Sequence, residues 1–150
     1  SGSTAIINSP IDKIILNSFY KFKIRNRHYD CVMSISIEAP FRNHYDYDSM
    51  INVMKIFKTD SVVAVNQETD NFYRHLGSGL KILNDNKKLK LERNEIYRQV
   101  GKFYLLGKNL LKNNKTAPEG NIGHIVLDNI SSFALDNEHD WARAKLLKIN

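Results

Sequence analysis

The chain has 150 residues, which is enough for one domain with a sizeable core. Its 42% hydrophobic and 25% charged content excludes a disordered chain, and no apolar run approaches the roughly 20 residues of a membrane-spanning helix. The first ten residues, SGSTAIINSP, lack the basic region and apolar core of a signal peptide. The single cysteine, Cys31, excludes an internal disulfide and predicts a reducing, cytoplasmic setting.

The formal net charge of +6 suits an anionic partner such as a nucleotide, an acidic sugar or a nucleic acid. The basic residues are spread along the chain, whereas nucleic-acid-binding modules concentrate them and add exposed aromatic side chains. The charge therefore permits an anionic ligand without identifying it. A basic α/β nucleic-acid-binding module stays open as an alternative, although the composition disfavours nucleic acid as the partner.

The first half of the sequence predicts helices alternating with strands. Apolar residues at helical spacing in the segment NSPIDKIILNSFYKF, residues 8–22, predict a helix with Ser9 as its N-cap and Pro10 in the first turn. The run YDCVMSISI predicts a strand buried on both faces, as in a parallel sheet. YDSMINVMKIF predicts a second helix with Met50, Met54 and Phe57 facing inward, and DSVVAV predicts a second buried strand.

The second half is less regular. FYRHLGSGLKIL predicts two strands around Gly77 and Gly79, NDNKKLKL predicts a turn into another strand, and KFYLLGKNLLKN mixes strand and helix signals. GHIVLD and SSFALD predict two further strands. NEHDWARAKLLKI predicts a final helix with Asn137 as its N-cap and Trp141 in the core.

A parallel α/β sheet opens with a strand and a ligand-binding loop, whereas this sequence opens on a helix. We therefore expect the first strand and its loop to lie outside these residues.

Several segments, taken in order, resemble the acylneuraminate (CMP-sugar) cytidylyltransferase family. They are YDCVMSISIEAPFR, YDYDSMINVMKIFKTDSVVAVNQE, ERNEIYRQVGKFYLLGKNLL and GNIGHIVLDNISSFALDNEHDWARAK. The resemblance spans roughly residues 12–145, and the order and spacing of the segments carry it. The family's glycine-rich and basic N-terminal loop, which binds the nucleotide triphosphate, has no counterpart here.

The resemblance implies an α/β fold, namely an incomplete Rossmann-like nucleotidyltransferase sheet with helices on both faces and a β-rich dimerisation insertion. Residues 1–150 would form one cytidylyltransferase-like domain that lacks the N-terminal nucleotide-binding strand and loop. Residues 66–100 are the candidate dimerisation arm, and a homodimer is expected.

The implied reaction is attack of a sugar hydroxyl on the α-phosphate of CTP, with Mg²⁺ assisting and pyrophosphate leaving. CTP and a sugar acid are thus the partners expected for the full-length protein, and this isolated chain is expected to be inactive. The alternative is a non-catalytic, cytidylyltransferase-like module for assembly or sugar binding.

The resemblance also implies which residues contact the substrate. Arg42 follows a strand end, Arg93 and Arg98 carry forked guanidinium groups suited to carboxylate or phosphate, and Tyr97 matches a family position near the sugar. The alternative for Arg42 is pairing with a surface acid, and the alternative for Arg93, Tyr97 and Arg98 is a dimer contact or a solvated charge.

For the metal, the resemblance implies Asp136 as a ligand, although Ala134 stands where the family has a second aspartate. Asp136 could instead begin the final helix. Glu38 and Val100 also depart from the family pattern. A carboxylate at Glu38 would repel an acidic sugar, which weakens the case for sialic acid in particular.

Overall fold

The computed structural model describes residues 11–24, 29–84 and 95–147. Within them the elements follow in the order α1 (Ile11–Ile24), β1 (Cys31–Ser34), α2 (His44–Phe57), β2 (Ser61–Glu68), β3 (Tyr73–His75), β4 (Leu80–Ile82), β5 (Ile96–Gly107), α3 (Lys108–Lys112), β6 (Ile122–Val126) and α4 (Glu138–Ala144). No helix in these ranges is long and apolar enough to cross a membrane.

The main sheet has the strand order β1-β5-β2-β6. β5 is antiparallel to both β1 and β2, whereas β2 and β6 are parallel. β1, β2 and β6 therefore run in one direction and β5 runs in the other. The expectation of a parallel sheet was wrong at β5, because apolar runs signal burial on both faces but not the direction of a neighbouring strand.

An irregularity in β5 changes its register against β2. Val63 lies opposite Tyr104, but Val65 lies opposite Gln99, so extra residues of β5 bulge out between these pairs. Gly101 takes a φ of +55° in this bulge, a left-handed conformation that glycine adopts without strain. Beyond the bulge, β5 continues along β2 past the last residue of β1.

Helices cover both faces of the sheet, as expected. On one face α2 packs against alternate strand residues, including Val62, Ala64, Phe103 and Leu105, around the fully buried Met50. The opposite face carries a second cluster that α1 and α3 complete, formed by Ile15, Phe19, Tyr104, Leu106 and Leu111. These clusters follow the period-two alternation of side chains along β2 and β5.

The helix predicted at Tyr47 begins three residues earlier, at His44, because Asn43 and Asp46 form a capping box. The Asp46 N–H donates to Asn43 Oδ1 at 3.2 Å, and the Asn43 N–H donates to Asp46 Oδ2 at 3.1 Å. Met50 faces inward as predicted, but Phe57 is 66% exposed, since the helix ends there, beyond the sheet.

The two strands predicted around Gly77 and Gly79 are present as the β3–β4 hairpin. The buried side chain of Asn84 ties its base together. Asn84 Oδ1 accepts from the Phe72 N–H at 2.7 Å, and Asn84 Nδ2 donates to the Asp70 carbonyl at 2.8 Å. The strand predicted after Asn84 lies outside the described residues, as do the predicted cap at Ser9 and Pro10.

The end of the chain departs from the sequence prediction in two places. β6 and α4 form where predicted, with Asn137 Oδ1 accepting from the Asp140 N–H as the N-cap. Residues 131–136, however, form a turn and an irregular segment instead of a strand. Trp141 is 58% exposed, so its expected core position was wrong. α4 has only seven residues and buries none of them, so its apolar spacing did not indicate a core face.

Candidate functional site

The carboxyl ends of β1, β2 and β6 lie at one edge of the sheet, since these strands share a direction. Two hydrogen bonds tie the segments at this edge together. Asn66 Nδ2, near the end of β2, donates to Ser132 Oγ at 2.9 Å, and the Leu135 N–H donates to the Glu38 carbonyl at 2.7 Å. Ligands of open α/β sheets bind at this edge, which makes it the candidate site.

Arg42 occupies this edge on the α2 face. Its guanidinium carbon lies 4.2 Å from the centre of the Phe103 ring, a cation–π contact, and Nη1 donates to the Ser36 carbonyl at a long 3.5 Å. Its Nε is buried without a hydrogen-bond acceptor, and within the described residues Arg42 has no ion pair. Burial lowers the pKa of Arg42, partly offset by Tyr47 and Asp46. The Arg42 guanidinium group is therefore positioned by Phe103 and the Ser36 carbonyl and can still bind an anionic partner.

Arg98 lies near the start of β5, opposite Asn66 of β2. Its Nε is 2.5 Å from Glu68 Oε1, and its side chain is largely exposed. The alternation along β2 places Asn66 on the same face as Val62 and Ala64, which is the α2 face. Arg98 and Arg42 therefore share a face, although Arg98 already has a carboxylate partner.

Tyr97 precedes Arg98 and so lies on the opposite face. Its hydroxyl donates to the Glu95 carboxylate, and this hydrogen bond is the main reason that the pKa of Tyr97 is raised. The Tyr97 ring also lies 5.1 Å from the His124 ring. The structure thus separates Tyr97 from the two arginines. Arg93 lies outside the described residues.

Asp136 lies exposed just before the N-cap of α4, and its N–H donates to Asp140 Oδ2 at 3.2 Å. The Asp128 carboxylate, just after β6, accepts hydrogen bonds from the backbone. Asp128 Oδ1 accepts from the N–H groups of Ile130 and Ser131 at 2.8 and 2.7 Å. No group of three or more His, Cys, Asp or Glu side chains suited to a metal is found in the described ranges. Within the described residues, Asp136 is therefore not part of a cluster of three or more such side chains.

The two other departures from the family pattern have structural roles. Val100 is buried in the cluster beneath α2, where an apolar side chain packs and a polar one would need a partner. The Glu38 carboxylate accepts from Ser36 Oγ at 2.9 Å, while its backbone carbonyl holds Leu135. Glu38 therefore stabilises the loop that follows β1.

Beside Glu38 lies a cavity of about 570 Å³ that we call the Trp141 groove. It lies between the loop after β1 and α4, with apolar walls formed by Ile37, Pro40, Phe41, Leu135, Trp141 and Ala144. Glu38 and Lys145 are its charged residues. The sequence analysis missed this groove, since its residues come from segments about 100 positions apart and no spacing along the chain marks them.

Comparisons with known proteins bear on the fold. No family model and no curated protein matches the sequence. Solved structures do match, among them the 4-diphosphocytidyl-2C-methyl-D-erythritol synthase from Anaerococcus prevotii, with a TM-score of 0.60 and 12% identity. The similarity covers 86% of this chain and 64% of the synthase, so the chain spans less than two thirds of that protein's length.

An identity of 12% is informative about architecture alone. The matching structure is described as a 4-diphosphocytidyl-2C-methyl-D-erythritol synthase and not as an acylneuraminate enzyme, so the match does not support that particular family. The expected α/β fold is confirmed. The chain shares the α/β architecture of this synthase, and its described sheet contains one antiparallel strand, β5.

Proposed function

We propose that this chain is the sugar-binding part of a cytidylyltransferase that transfers CMP from CTP to an acidic or related sugar. The observation that carries the proposal is the fold likeness to a diphosphocytidyl-sugar-alcohol synthase over 86% of the chain. Arg42 supports the anionic substrate, because its cation lies at the ligand edge of the sheet and pairs with no carboxylate among the described residues.

In this proposal Arg42 binds the sugar's carboxylate or phosphate through its guanidinium fork. Arg98 assists from β5 on the same face once the substrate competes with Glu68 for it, and Arg93 adds a further cation. Tyr97 lies on the other face of the sheet, so its part is to hold the start of β5 through Glu95 and His124. These residues orient the sugar hydroxyl, which is the main task of a protein in phosphoryl transfer.

In this proposal, the triphosphate of CTP is bound by polypeptide other than residues 1–150. In the described part of the chain no strand pairs with the outer edge of β1, and an open strand edge is a surface for another strand. Residues 1–150 alone are therefore proposed to bind the sugar without turning over CTP.

Mg²⁺ remains part of the proposal only as a contributor of positive charge at the phosphates. Asp136 is the one candidate ligand on this chain, and no step is assigned to the metal. A cytoplasmic location is likewise still a prediction.

A second candidate function is a non-catalytic sugar-binding or assembly module. The observation that favours it is that Ala134 stands where the family resemblance implies an aspartate. Asp136 is then the one carboxylate at the two positions that the resemblance assigns to the metal.

The test of sugar binding uses Arg42→Met, which keeps an unbranched apolar stem at this position but removes the charged guanidinium group that contacts Phe103. Titration of a panel of sugar acids and sugar phosphates into ¹⁵N-labelled protein should shift the backbone amide resonances around Arg42, which the Arg42→Met variant retains. The substitution should weaken binding by about tenfold or more, the effect of losing a charged hydrogen-bonding partner. Lys112→Met, on the exposed end of α3, is the matched control and should leave binding unchanged.

Pyrophosphate release separates the two candidates. The protein encoded by the full reading frame should release pyrophosphate from CTP only when a sugar is present, and residues 1–150 should not. Sugar binding without any release by the full protein would favour the non-catalytic module. Equal binding by the Arg42→Met and Lys112→Met variants would overturn the assignment of Arg42.

A further inference from the structure

The Trp141 groove is not used by the arginines of the candidate site. Its volume, about 570 Å³, lies within the roughly 300–1,000 Å³ of small-molecule sites, and its walls are largely apolar and aromatic, as such sites require. Trp141 and Ile37 leave apolar surface open to solvent, with exposed fractions of 58% and 92%. A ligand that covers these side chains would remove that surface from water.

The walls of the groove are held in place before any ligand binds. The Leu135 N–H donates to the Glu38 carbonyl at 2.7 Å, and the ring centres of Phe41 and Phe133 are 6.0 Å apart. The loop after β1 and the segment before α4 are thus joined by two contacts beside the groove. A fixed cavity with aromatic walls favours a flat, rigid ligand, because little ordering is needed on binding.

Two side chains of opposite charge, Glu38 and Lys145, line the groove and indicate which polar groups a ligand should carry. The Glu38 carboxylate, oriented by Ser36 Oγ at 2.9 Å, has capacity to accept from a further N–H donor. Lys145 forms no ion pair with any residue that the structure describes. The ligand that matches both is a flat aromatic ring with an amino group and a negative charge.

We propose that the Trp141 groove binds a nucleoside monophosphate whose base carries an exocyclic amino group. The base stacks on the Trp141 indole, its amino group donates to Glu38, and Lys145 meets the phosphate. Stacking on an exposed aromatic side chain accepts any base, so selectivity comes from Glu38. Occupancy of the groove does not depend on the transfer reaction, since neither Arg42 nor Asp136 lines it.

Tryptophan fluorescence tests this proposal, because Trp141 is the single tryptophan of the 150-residue chain. Titration of CMP and AMP should quench it saturably. UMP, which has no exocyclic amino group, should bind about tenfold more weakly, the loss expected for one hydrogen bond to a charged acceptor. Calorimetry on Trp141→Ala should show an affinity for CMP lower by about tenfold.

Two substitutions test the proposed roles of Glu38 and Lys145 in ligand binding. Glu38→Gln keeps the side-chain size and should abolish the preference for CMP over UMP. Lys145→Ala should weaken CMP binding but leave cytidine binding unchanged, and Lys112→Ala should change neither. Far-UV circular dichroism verifies that each variant is folded.

Several results would overturn the proposal. These are a lack of saturable quenching, equal affinities for CMP and UMP in the unaltered protein, and an unchanged preference in Glu38→Gln. Quenching by apolar peptides but not by nucleotides would also overturn it and would identify the groove as a protein-docking surface.

Discussion

Ala134 and Asp136 stand two residues apart in the irregular segment between β6 and α4. In an extended chain, residues at this spacing project to the same side, so a carboxylate at position 134 could act together with Asp136. The neighbouring Leu135 is anchored by its hydrogen bond to Glu38, which restrains the segment. In the proposed function, the segment therefore offers the metal one carboxylate, that of Asp136.

We predict that Ala134→Asp creates a Mn²⁺ site that the unaltered chain lacks. Two carboxylates on one restrained segment hold a divalent cation better than one, because oxygen ligands of opposite charge add directly to the attraction. Electron paramagnetic resonance of Mn²⁺, used in place of Mg²⁺, should show tighter binding by Ala134→Asp and its loss in the double variant Ala134→Asp with Asp136→Ala. Ala142→Asp adds the same charge on exposed α4 without pairing with Asp136. Equal Mn²⁺ affinity of Ala134→Asp and Ala142→Asp would refute the site.

Among the elements, α2 connects the core to the candidate site. Met50 anchors it beneath the sheet, while its capping box fixes the chain immediately after Arg42. The position of the Arg42 guanidinium over Phe103 thus depends on where the helix begins. The sequence predicted this helix well from its apolar spacing, but it missed the first turn, which the capping residues control and in which Tyr45 is exposed.

Asn43→Ala should lower the free energy of unfolding by about 1 kcal/mol, the usual effect of removing an N-cap side chain. The loss arises because the Asp46 N–H at the start of α2 then loses the Asn43 Oδ1 acceptor and keeps only the Asn43 backbone carbonyl, at 3.2 Å. Urea denaturation followed by circular dichroism measures it. Asn129→Ala, at an exposed turn, is the control and should stay within a few tenths of a kcal/mol. An equal effect of the two substitutions would show that the cap does not stabilise the helix.

β5 shows what an element can hide from sequence analysis. Its 12 residues form one strand from Ile96 to Gly107, whereas the run KFYLLGKNLLKN, which contains its second half, mixes strand and helix signals. The bulge around Gly101 breaks the alternation of side chains, so neither half shows the period of the whole strand. Tyr97 and Arg98 lie on the N-terminal side of this bulge. There they pair with Gln67 and Asn66 near the carboxyl end of β2, at the ligand edge of the sheet.

At the scale of the whole molecule, the β3–β4 hairpin stands out because its apolar side chains are exposed. Tyr73, Leu76, Leu80, Ile82 and Leu83 all face solvent. Tyr73 lies opposite Ile82 and His75 opposite Leu80, so these side chains share one face of the ribbon. A two-stranded hairpin is only marginally stable by itself, so a packing partner is expected. This supports the proposal that the described part of residues 66–100 is an arm of a homodimer.

Size-exclusion chromatography with light scattering should therefore give twice the chain mass of 17.3 kDa. The double substitution Leu80→Glu with Ile82→Glu should yield the monomer, because charge on the apolar face opposes its burial. Ile56→Glu with Phe57→Glu, at the exposed end of α2, changes surface hydrophobicity equally and should leave the dimer intact. A monomeric unaltered chain, or dissociation by both pairs of substitutions, would contradict the arm.

The sequence by itself determined the local elements whose signals lie within a few residues. The apolar spacing of α2, the glycines of the hairpin and the Asn137 cap of α4 all act through neighbours along the chain. The order of the resembling segments also predicted the α/β nucleotidyltransferase-like fold that the solved neighbour supports.

Only the tertiary structure decided the features that depend on residues distant in sequence. It set the reversed direction of β5, the contact between Arg42 and Phe103, the exposure of Trp141 and the groove beside it. The physical reason is that these contacts join segments about 60 to 110 positions apart. Strand pairing, the bulge and the loop between β6 and α4 bring such segments together, and no periodicity along the chain encodes that.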